Sequence, residues 1–508
     1  MRAVCRILLL AALALVLAAC SRGPDVSRLE QDVQSRVNAL FGRQVLKLES
    51  LRRQGSAPYR AADDGTKQVI VYYNAKLRFT EAYDPSDWQG LSPTMIANAL
   101  GAADEGITGL KSGPNEPDTE LRAYGSVVYR QAGQGWQPAD AMAPSPAVPA
   151  ALGAAAPTSQ ADELVRRLAE LVQKAPARRG RDDAIIAEEL GRALDNIRLR
   201  TSEGSGTALI AAGPEGGEYW RFLSSVVSRI GSPAPLAVAA SAGSVANALS
   251  IDRGDARLGM VQSDVAASAV TGTGTFTGTG PLGHLRAVAS LFPEPVHVVV
   301  RQDSGIASLP DLAGRRVALG AVSSGTRQTA TRLLDAAGVD VLQLDEAEAR
   351  SPQQALDLLV QGEIDAVIEV VSAPWRQLEI AMHTAQLRLV PLDLQSRVQL
   401  ATGTPGLFPL TIPARTYPGQ DEPVPTVAAT ALLVARDDVP DTLVTDTLDL
   451  LYASAASGGA GVQATRLSKS RARDGVTIPL HPAAARYFPQ AATGPSPPLA
   501  LDATPAPP

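Results

Sequence analysis

The chain has 508 residues, a formal net charge of −6 and a sequence pI near 5.5. This length is enough for two or three domains with substantial cores, whereas the acidic balance argues against a nucleic-acid-binding protein. The four histidines are scattered, and neither of the two cysteines lies near them at metal-ligand spacing. The sequence therefore predicts no metal site.

The N-terminus has the features of a secretory signal peptide over residues 1–19. A basic start and an apolar segment over residues 8–17 precede a Leu-Ala-Ala-Cys run that ends at Cys20. Small residues directly before a cysteine resemble the bacterial lipoprotein signal, in which the cysteine becomes the lipidated first residue, although a simple secretory signal cut near Cys20 is the alternative. We therefore expect a periplasmic protein anchored to a membrane through Cys20, and Ser21 favours the outer membrane.

Residues 20–137 are predicted to form a small α+β module of unknown role. Apolar residues at helical spacing over residues 26–51 predict an amphipathic helix, and residues 94–100 predict a shorter one. Alternating apolar residues over 67–79 and 121–129 predict strands. The module shows no catalytic constellation, so a partner-binding or spacer role is the default interpretation.

Two further segments have the composition of connecting or terminal regions. Residues 138–203 begin with an Ala/Pro-rich linker and continue with two amphipathic stretches that predict a helical hairpin. Residues 489–508 are rich in proline and alanine, which predicts a disordered tail.

From about residue 204, predicted strands alternate with predicted helices, which favours a mostly parallel sheet with helices on both faces. Residues 285–291 and 296–300 read as two strands separated by Pro293 and Pro295. The strands 296–301 and 431–435 are candidates for crossing between two halves of this region. Further strands are predicted over residues 207–211, 236–240, 257–261, 316–319, 365–370 and 387–392.

Small polar turns follow four of these strands, at residues 213–217, 241–247, 262–264 and 323–326. Ligands of open α/β sheets bind beyond the carboxyl ends of the strands, so these turns are expected to converge on one crevice. Serine hydroxyls at helix N-termini, such as those of Ser244 and Ser324, suit an anionic head group. A plain helix-capping role for either serine is the alternative.

Two glycine-rich segments do not match nucleotide-binding motifs. The turn at 213–217 lacks the Gly-x-Gly-x-x-Gly spacing of dinucleotide-binding proteins, and the loop at 271–280 is not followed by Gly-Lys-Ser/Thr. The sequence therefore predicts no cofactor.

Several blocks of this region together resemble one family. The region is similar to the solute-binding subunits of tripartite ATP-independent periplasmic (TRAP) transporters, in their TAXI branch. The blocks are GPEGGEY at 213–219, SAGSVAN at 241–247, LGMVQSD at 258–264, and the segments 299–325, 362–374 and 412–426.

The resemblance implies a two-lobed α/β fold of the type II periplasmic-binding-protein class, which closes on a small solute. Lobe I would comprise residues 204–298 and 433–488, and lobe II residues 299–432. Trp375 departs from the small polar residue usual after Pro374 and is expected to reshape the pocket. The residues implied at the cleft are Tyr219, Ser241, Ser244, Asn247, Gln262, Asp264, Ser324, Gly325 and Thr326, with Trp375 beside them.

The expected function is capture of a small organic solute, a carboxylate or an amino acid, and its delivery to a TRAP-type permease. Asp264 would repel a purely anionic ligand, which favours an amino acid over a dicarboxylate. The alternative is an envelope lipoprotein that senses a ligand and signals through its N-terminal module without transport. An enzyme is not expected, because the chain has no Gly-x-Ser-x-Gly nucleophile elbow.

Overall fold

The computed structural model of the protein describes residues 23–59, 66–133, 135–139, 208–228, 236–347, 349, 351–456 and 466–488. The chain divides into two units, residues 1–154 with 454–466, and residues 155–453 with 467–508. The predicted signal peptide, Cys20, the helical hairpin and the C-terminal tail lie outside the described residues. None of the described helices has both the length and the apolar character needed to cross a lipid bilayer.

The first unit is an antiparallel sheet packed against a helix. Its strands lie in the order β1-β2-β4-β3, and β5 pairs with β4. The core joins one face of helix α1 to alternate residues of β2. The elements are α1 (Val26–Phe41), β1 (Leu46–Tyr59), β2 (Gln68–Phe79), α2 (Pro93–Ala99), β3 (Ala102–Thr108), β4 (Glu120–Ala132) and β5 (Gly135–Pro138).

The helix predicted over residues 26–51 is wrong beyond Phe41. Asp25 caps the start of α1 by accepting a hydrogen bond from the Arg28 N–H, and Gly42 ends the helix with φ 68°. A glycine in the left-handed conformation satisfies the last helical carbonyls and turns the chain away. Residues after Gly42 form β1, which pairs antiparallel with β2, so a strand replaces the end of the predicted helix.

The second unit is built on one sheet with the strand order β11-β10-β12-β9-β15-β8-β6-β7. In addition, β13 pairs with β9 and β14 pairs with β15. The strands are β6 (Ala208–Ala211), β7 (Leu236–Ala239), β8 (Leu258–Gln262), β9 (Leu285–Arg301), β10 (Arg316–Ala318), β11 (Asp345–Glu346), β12 (Ala366–Val370), β13 (Leu387–Leu389), β14 (Phe408–Ile412) and β15 (Val424–Arg436).

Helices cover this sheet. They are α3 (Glu218–Val227), α4 (Ser244–Arg253), α5 (Ser263–Thr271), α6 (Gly325–Ala336), α7 (Pro352–Val360), α8 (Arg376–Thr384), α9 (Leu394–Gly403), α10 (Asp441–Ala456) and α11 (Pro482–Tyr487). Short 3₁₀ segments occur at Gly274–Phe276, Leu309–Leu312, Val341–Gln343 and Lys469–Arg471.

Two long strands divide the second unit into two lobes, and the predicted two-lobed α/β fold is confirmed. The first part of β9, up to Pro295, pairs with β15, whereas the rest pairs with β12 and β13. We call the part before Val296 and from Ala428 onward lobe I, and the part between them lobe II. Separate hydrophobic clusters form the cores, one in lobe I and two in lobe II.

The break predicted at Pro293 and Pro295 is wrong, because β9 runs through both prolines. They stand two residues apart, so their nitrogens point to the same edge of the strand, the edge away from β15. Opposite Pro293, the Thr430 N–H donates to Ser263 Oγ at 2.8 Å instead of to β9. On the other edge of β9, pairing with β12 begins only at Val296. Neither proline removes a ladder hydrogen bond, and the strand continues.

The chain passes back from lobe II to lobe I within β15, at a point earlier than the predicted residues 431–435. Those residues pair with β8 inside lobe I. Ala428 is the residue that β14 and β9 share as a partner, so the strand changes lobes there.

Candidate functional site

The polar turns after the strands line one cavity between the two lobes. The cavity has a volume of about 130 Å³, which is enough for roughly ten water molecules or a small organic molecule. Its walls include the last residue of β8 and residues that follow β6, β7, β10 and β12. The cavity therefore lies at the carboxyl ends of the strands, where α/β sheets bind ligands.

The N-termini of α4 and α6 meet at this cavity from opposite lobes. The Ala246 N–H of α4 donates to the Ser323 carbonyl at 3.4 Å. A Cβ atom placed on Gly325 would lie 1.7 Å from Gln262 Oε1, and one on Gly243 would lie 3.1 Å from Ser324 Cα. Glycine at both positions allows the two helix ends to touch, so the lobes are closed upon each other here.

Six residues expected at the cleft line the cavity, namely Tyr219, Ser244, Gln262, Ser324, Gly325 and Thr326. The Ser244 hydroxyl accepts a hydrogen bond from the Gln262 N–H at 3.1 Å. The Gln262 side chain is 3% exposed, and its Oε1 atom has no hydrogen-bond partner among the described residues. An unpaired buried acceptor is costly, so a ligand that donates a hydrogen bond there would be stabilised.

The hydroxyls of Ser324 and Thr326, at the start of α6, form hydrogen bonds within the protein. Ser324 Oγ accepts from the Arg327 N–H at 3.1 Å and donates to the Ala321 carbonyl at 2.7 Å, which is a helix-capping arrangement. Thr326 Oγ1 donates to Glu369 Oε1 at 2.7 Å. Of the two interpretations of Ser324, its contacts favour the cap.

Four residues expected at the cleft lie outside the cavity lining. Ser241 Oγ lies 2.6 Å from Asn247 Oδ1, and the Asn247 amide donates to the Met260 carbonyl at 2.7 Å, so this pair ties the turn after β7 to β8. Trp375 is buried in a lobe II core, where its ring meets His297 edge to face. Trp375 is not among the residues that line the cavity, but it packs in the same core as the lining residues Ala318, Ala355 and Val367.

Asp264, the fourth of these residues, forms an ion pair between the lobes. Its side chain is 0% exposed, and Oδ2 accepts from Thr329 Oγ1 at 2.9 Å and from Arg332 Nη1 at 3.2 Å. Burial raises the pKa of Asp264, although the Arg332 guanidinium acts in the opposite direction. Because Asp264 does not line the cavity, its charge gives no basis for choosing between an amino acid and a dicarboxylate.

Three glutamates that the sequence did not single out line the cavity: Glu218, Glu294 and Glu369. Glu218, the first residue of α3, accepts hydrogen bonds across the cleft from the Ser372 N–H at 3.1 Å and from the Ser372 hydroxyl. Glu294, on β9, accepts from Tyr219 Oη at 2.5 Å. Glu369, on β12, is held by Thr326.

Burial raises the pKa values of two of these carboxyls. Glu294 is 2% exposed, and desolvation together with the nearby Glu218 charge raises its pKa well above the usual range. Glu369 is 8% exposed, and desolvation raises its pKa to about 7. Glu369 therefore binds a proton near neutral pH when no cation compensates its charge, and the pKa of Glu294 is shifted in the same direction.

A sequence signal existed for two of the glutamates. Glu369 is a lone carboxylate in an otherwise apolar strand, and Glu294 lies between two prolines inside another. A buried carboxylate requires a partner or a function. The third, Glu218, has the ordinary preference of an acidic residue for a helix N-terminus and carried no such signal.

The remaining wall of the cavity is mostly small or apolar, including Ala318, Ala355, Val367 and Val370. Neither lysine nor arginine occurs among the described residues that line it. In the described part of the chain, no group of three or more His, Cys, Asp and Glu side chains is arranged to hold a metal ion.

The family to which the chain belongs follows from a comparison with family models. The model of the NMT1-like family matches residues 210–490, more than half of the chain. This protein belongs to the NMT1-like family. The matched range contains the whole cavity lining.

Solved structures of several bacterial proteins are similar to this NMT1-like chain at low identity. A Xanthomonas citri protein bound to ATP is 14% identical over 56% of this chain and 94% of its own, with a TM-score of 0.34. The periplasmic aliphatic sulphonate binding protein SsuA of Escherichia coli is 15% identical over 55% and 82%, with a TM-score of 0.33. A putative L-cystine ABC transporter of Listeria monocytogenes is 13% identical over 50% and 92%, with a TM-score of 0.32.

Proposed function

We propose that this protein is an extracytoplasmic solute-binding protein that captures a small organic molecule between its two lobes and delivers it to a membrane permease. The observation that carries the proposal is the cavity at the carboxyl ends of strands from both lobes. A ligand that touches both walls stabilises the closed arrangement by its differential affinity for it. Capture and release then follow from opening and closing of the lobes about β9 and β15.

The delivery step and the location rest on sequence features. The blocks that resemble TAXI subunits support a TRAP-type permease as the recipient. The Leu-Ala-Ala-Cys run supports a lipid anchor at Cys20 on the periplasmic side of a membrane. A protein tethered in this way stays close to an integral membrane partner, which raises its effective concentration there.

The binding role is tested by replacing each of two alanines in the turn after β7 with leucine. Ala242 lines the cavity, whereas Ala240, two residues earlier and also half-buried, does not. A set of small organic amines, guanidines, amino acids, carboxylates and polyols is screened for compounds that raise the melting temperature. We expect a bound solute to lose most of its effect on Ala242→Leu protein, because the added side chain occupies the cavity, and to act normally on Ala240→Leu protein.

The proposal is wrong if no compound stabilises the wild-type protein or if the active compounds stabilise both variants equally. Delivery is measured separately, as uptake of the identified solute by cells with and without the gene. Unchanged uptake despite tight binding would favour the sensing alternative.

A further inference from the structure

The geometry of the cavity points to the class of solute, an inference that rests on the proposed function. We propose that the solute is an organic cation whose ammonium or guanidinium group binds between Glu294, Glu369 and Gln262, with Glu218 adding negative charge. These four residues come from β9, β12, β8 and α3, so both lobes contribute to the site. This replaces the carboxylate head group that the helix N-termini suggested.

The groups at the cavity favour a cation over an anion. Four helices, α3, α4, α6 and α7, begin at the cavity, and each N-terminus is equivalent to roughly half a positive charge. Three carboxylates supply up to three negative charges, and among the described lining residues no basic side chain offsets them. The side-chain hydrogen bonds to Glu294 and Glu369 come from the neutral hydroxyls of Tyr219 and Thr326, which do not neutralise a negative charge on either carboxylate.

The free acceptor on Gln262 is a second, independent indication. Its Oε1 atom is buried and has no hydrogen-bond partner in the described part of the chain, while Nε2 lies 3.5 Å from the Val370 carbonyl. An ammonium or guanidinium group carries only donors. A carboxylate carries only acceptors and would leave this oxygen unpaired.

The rest of the wall suits a hydrocarbon body attached to the charged group. Ala318, Val367 and Val370 line the cavity, and its volume holds roughly ten water molecules. A short alkyl chain or small ring would bury its apolar surface against these side chains. The favoured ligand is therefore a compact organic amine or guanidine.

Binding of such a cation should displace protons. Burial raises the pKa of Glu369 to about 7 and raises that of Glu294 as well, so a bound cation must replace the proton that Glu369 carries near neutral pH in the empty cavity. The other titratable groups near these carboxyls are Glu218 and Tyr219 on α3, Asp264 on α5, which is paired with Arg332, and His297, which is opposite Glu369 in the sheet. The pKa of His297 is lowered to about 4 by burial, so this histidine stays neutral near pH 7.

The test compares probes that share a four-carbon chain and differ in charge: 1,4-diaminobutane and agmatine as cations, 1,4-butanediol as a neutral compound and succinate as an anion. Melting temperatures and calorimetric titrations at pH 8 and pH 6 are measured within the wider screen described above. We expect active compounds to be cations, to bind more weakly at pH 6, and to release protons in titrations run in buffers of different ionisation enthalpy.

Glu369→Gln is the decisive variant, and Glu422→Gln, at an exposed site of the same lobe, is its control. Loss of a charged hydrogen-bond partner should weaken cation binding by about tenfold to a hundredfold, and proton release should fall with it. The control should bind as the wild type does. Glu294→Gln provides a second variant that removes a carboxylate from β9.

The outcomes separate this inference from the proposed function. Stabilisation by succinate or butanediol, with no active cation, would overturn the cationic class and leave solute binding intact. Cation binding that is unaffected by both Glu369→Gln and Glu294→Gln would also overturn it. If no compound of any class binds, the proposed function fails and this inference fails with it.

Discussion

The ion pair between Asp264 and Arg332 offers a direct test of how the two lobes are held together. Arg332→Met removes the positive partner of a carboxylate that is 0% exposed, and also the donor to Ser268 Oγ at 2.6 Å. Breaking a buried ion pair from one side typically costs 3–5 kcal/mol. The Arg332 side chain is 25% exposed, so we expect the lower end, about 3 kcal/mol of unfolding free energy at pH 8.

The expected loss depends on pH. Burial already raises the pKa of Asp264, and removal of Arg332 should raise it further. The carboxyl of the variant then takes up a proton as the pH falls, so the cost of the lost partner shrinks. Urea unfolding at pH 8 and pH 5 should show a smaller difference between wild type and variant at pH 5.

A surface pair provides the matched control. Arg253 and Asp255 form an ion pair at 3.0 Å in which the arginine side chain is 63% exposed, so Arg253→Met should cost less than about 1 kcal/mol. Adding Asp264→Asn to Arg332→Met should restore part of the lost stability, because no charge is then left buried. Equal losses for the two arginine variants, or a loss that does not change between pH 8 and pH 5, would refute the argument.

Three further predictions follow from individual residues. Ser324→Ala removes the hydroxyl that accepts from the Arg327 N–H, so thermal melts should show a loss of about 1 kcal/mol while calorimetry shows unchanged solute affinity; a weaker affinity with normal stability would make Ser324 a ligand contact instead. The pKa of Glu369 rises from 4.5 to about 7 on folding, so the stability gained from its protonation is full below pH 4.5 and is lost as the pH rises to 7. At pH 8 the unfolding free energy of Glu369→Gln, measured in urea, should therefore be about 3 kcal/mol larger than that of the wild type. Equal unfolding free energies would contradict this. Cys20→Ser should release the protein from the membrane fraction or leave an unprocessed precursor, and normal processing with membrane retention would disprove the lipid anchor.

Local patterns in the sequence were sufficient for most elements of the second unit. The apolar period of β8 and α6, and the small-residue turns that join such strands and helices, depend on residues close together in the chain. The convergence of the turns followed from a general property of α/β sheets. The same local patterns failed where long-range pairing decides the outcome, as at the start of β1 and at Pro293 within β9.

The electrostatic character of the cavity was decided only by the tertiary structure. Tyr219 and Glu294, 75 residues apart in the chain, are joined by one hydrogen bond, and Asp264 meets Arg332 only because the lobes close. Whether a carboxylate faces a cavity, a basic partner or solvent depends on which distant elements pack against it. The sequence by itself therefore determined the fold and the edge of the sheet where the cavity lies, whereas packing between the lobes determined which charged side chains line that cavity.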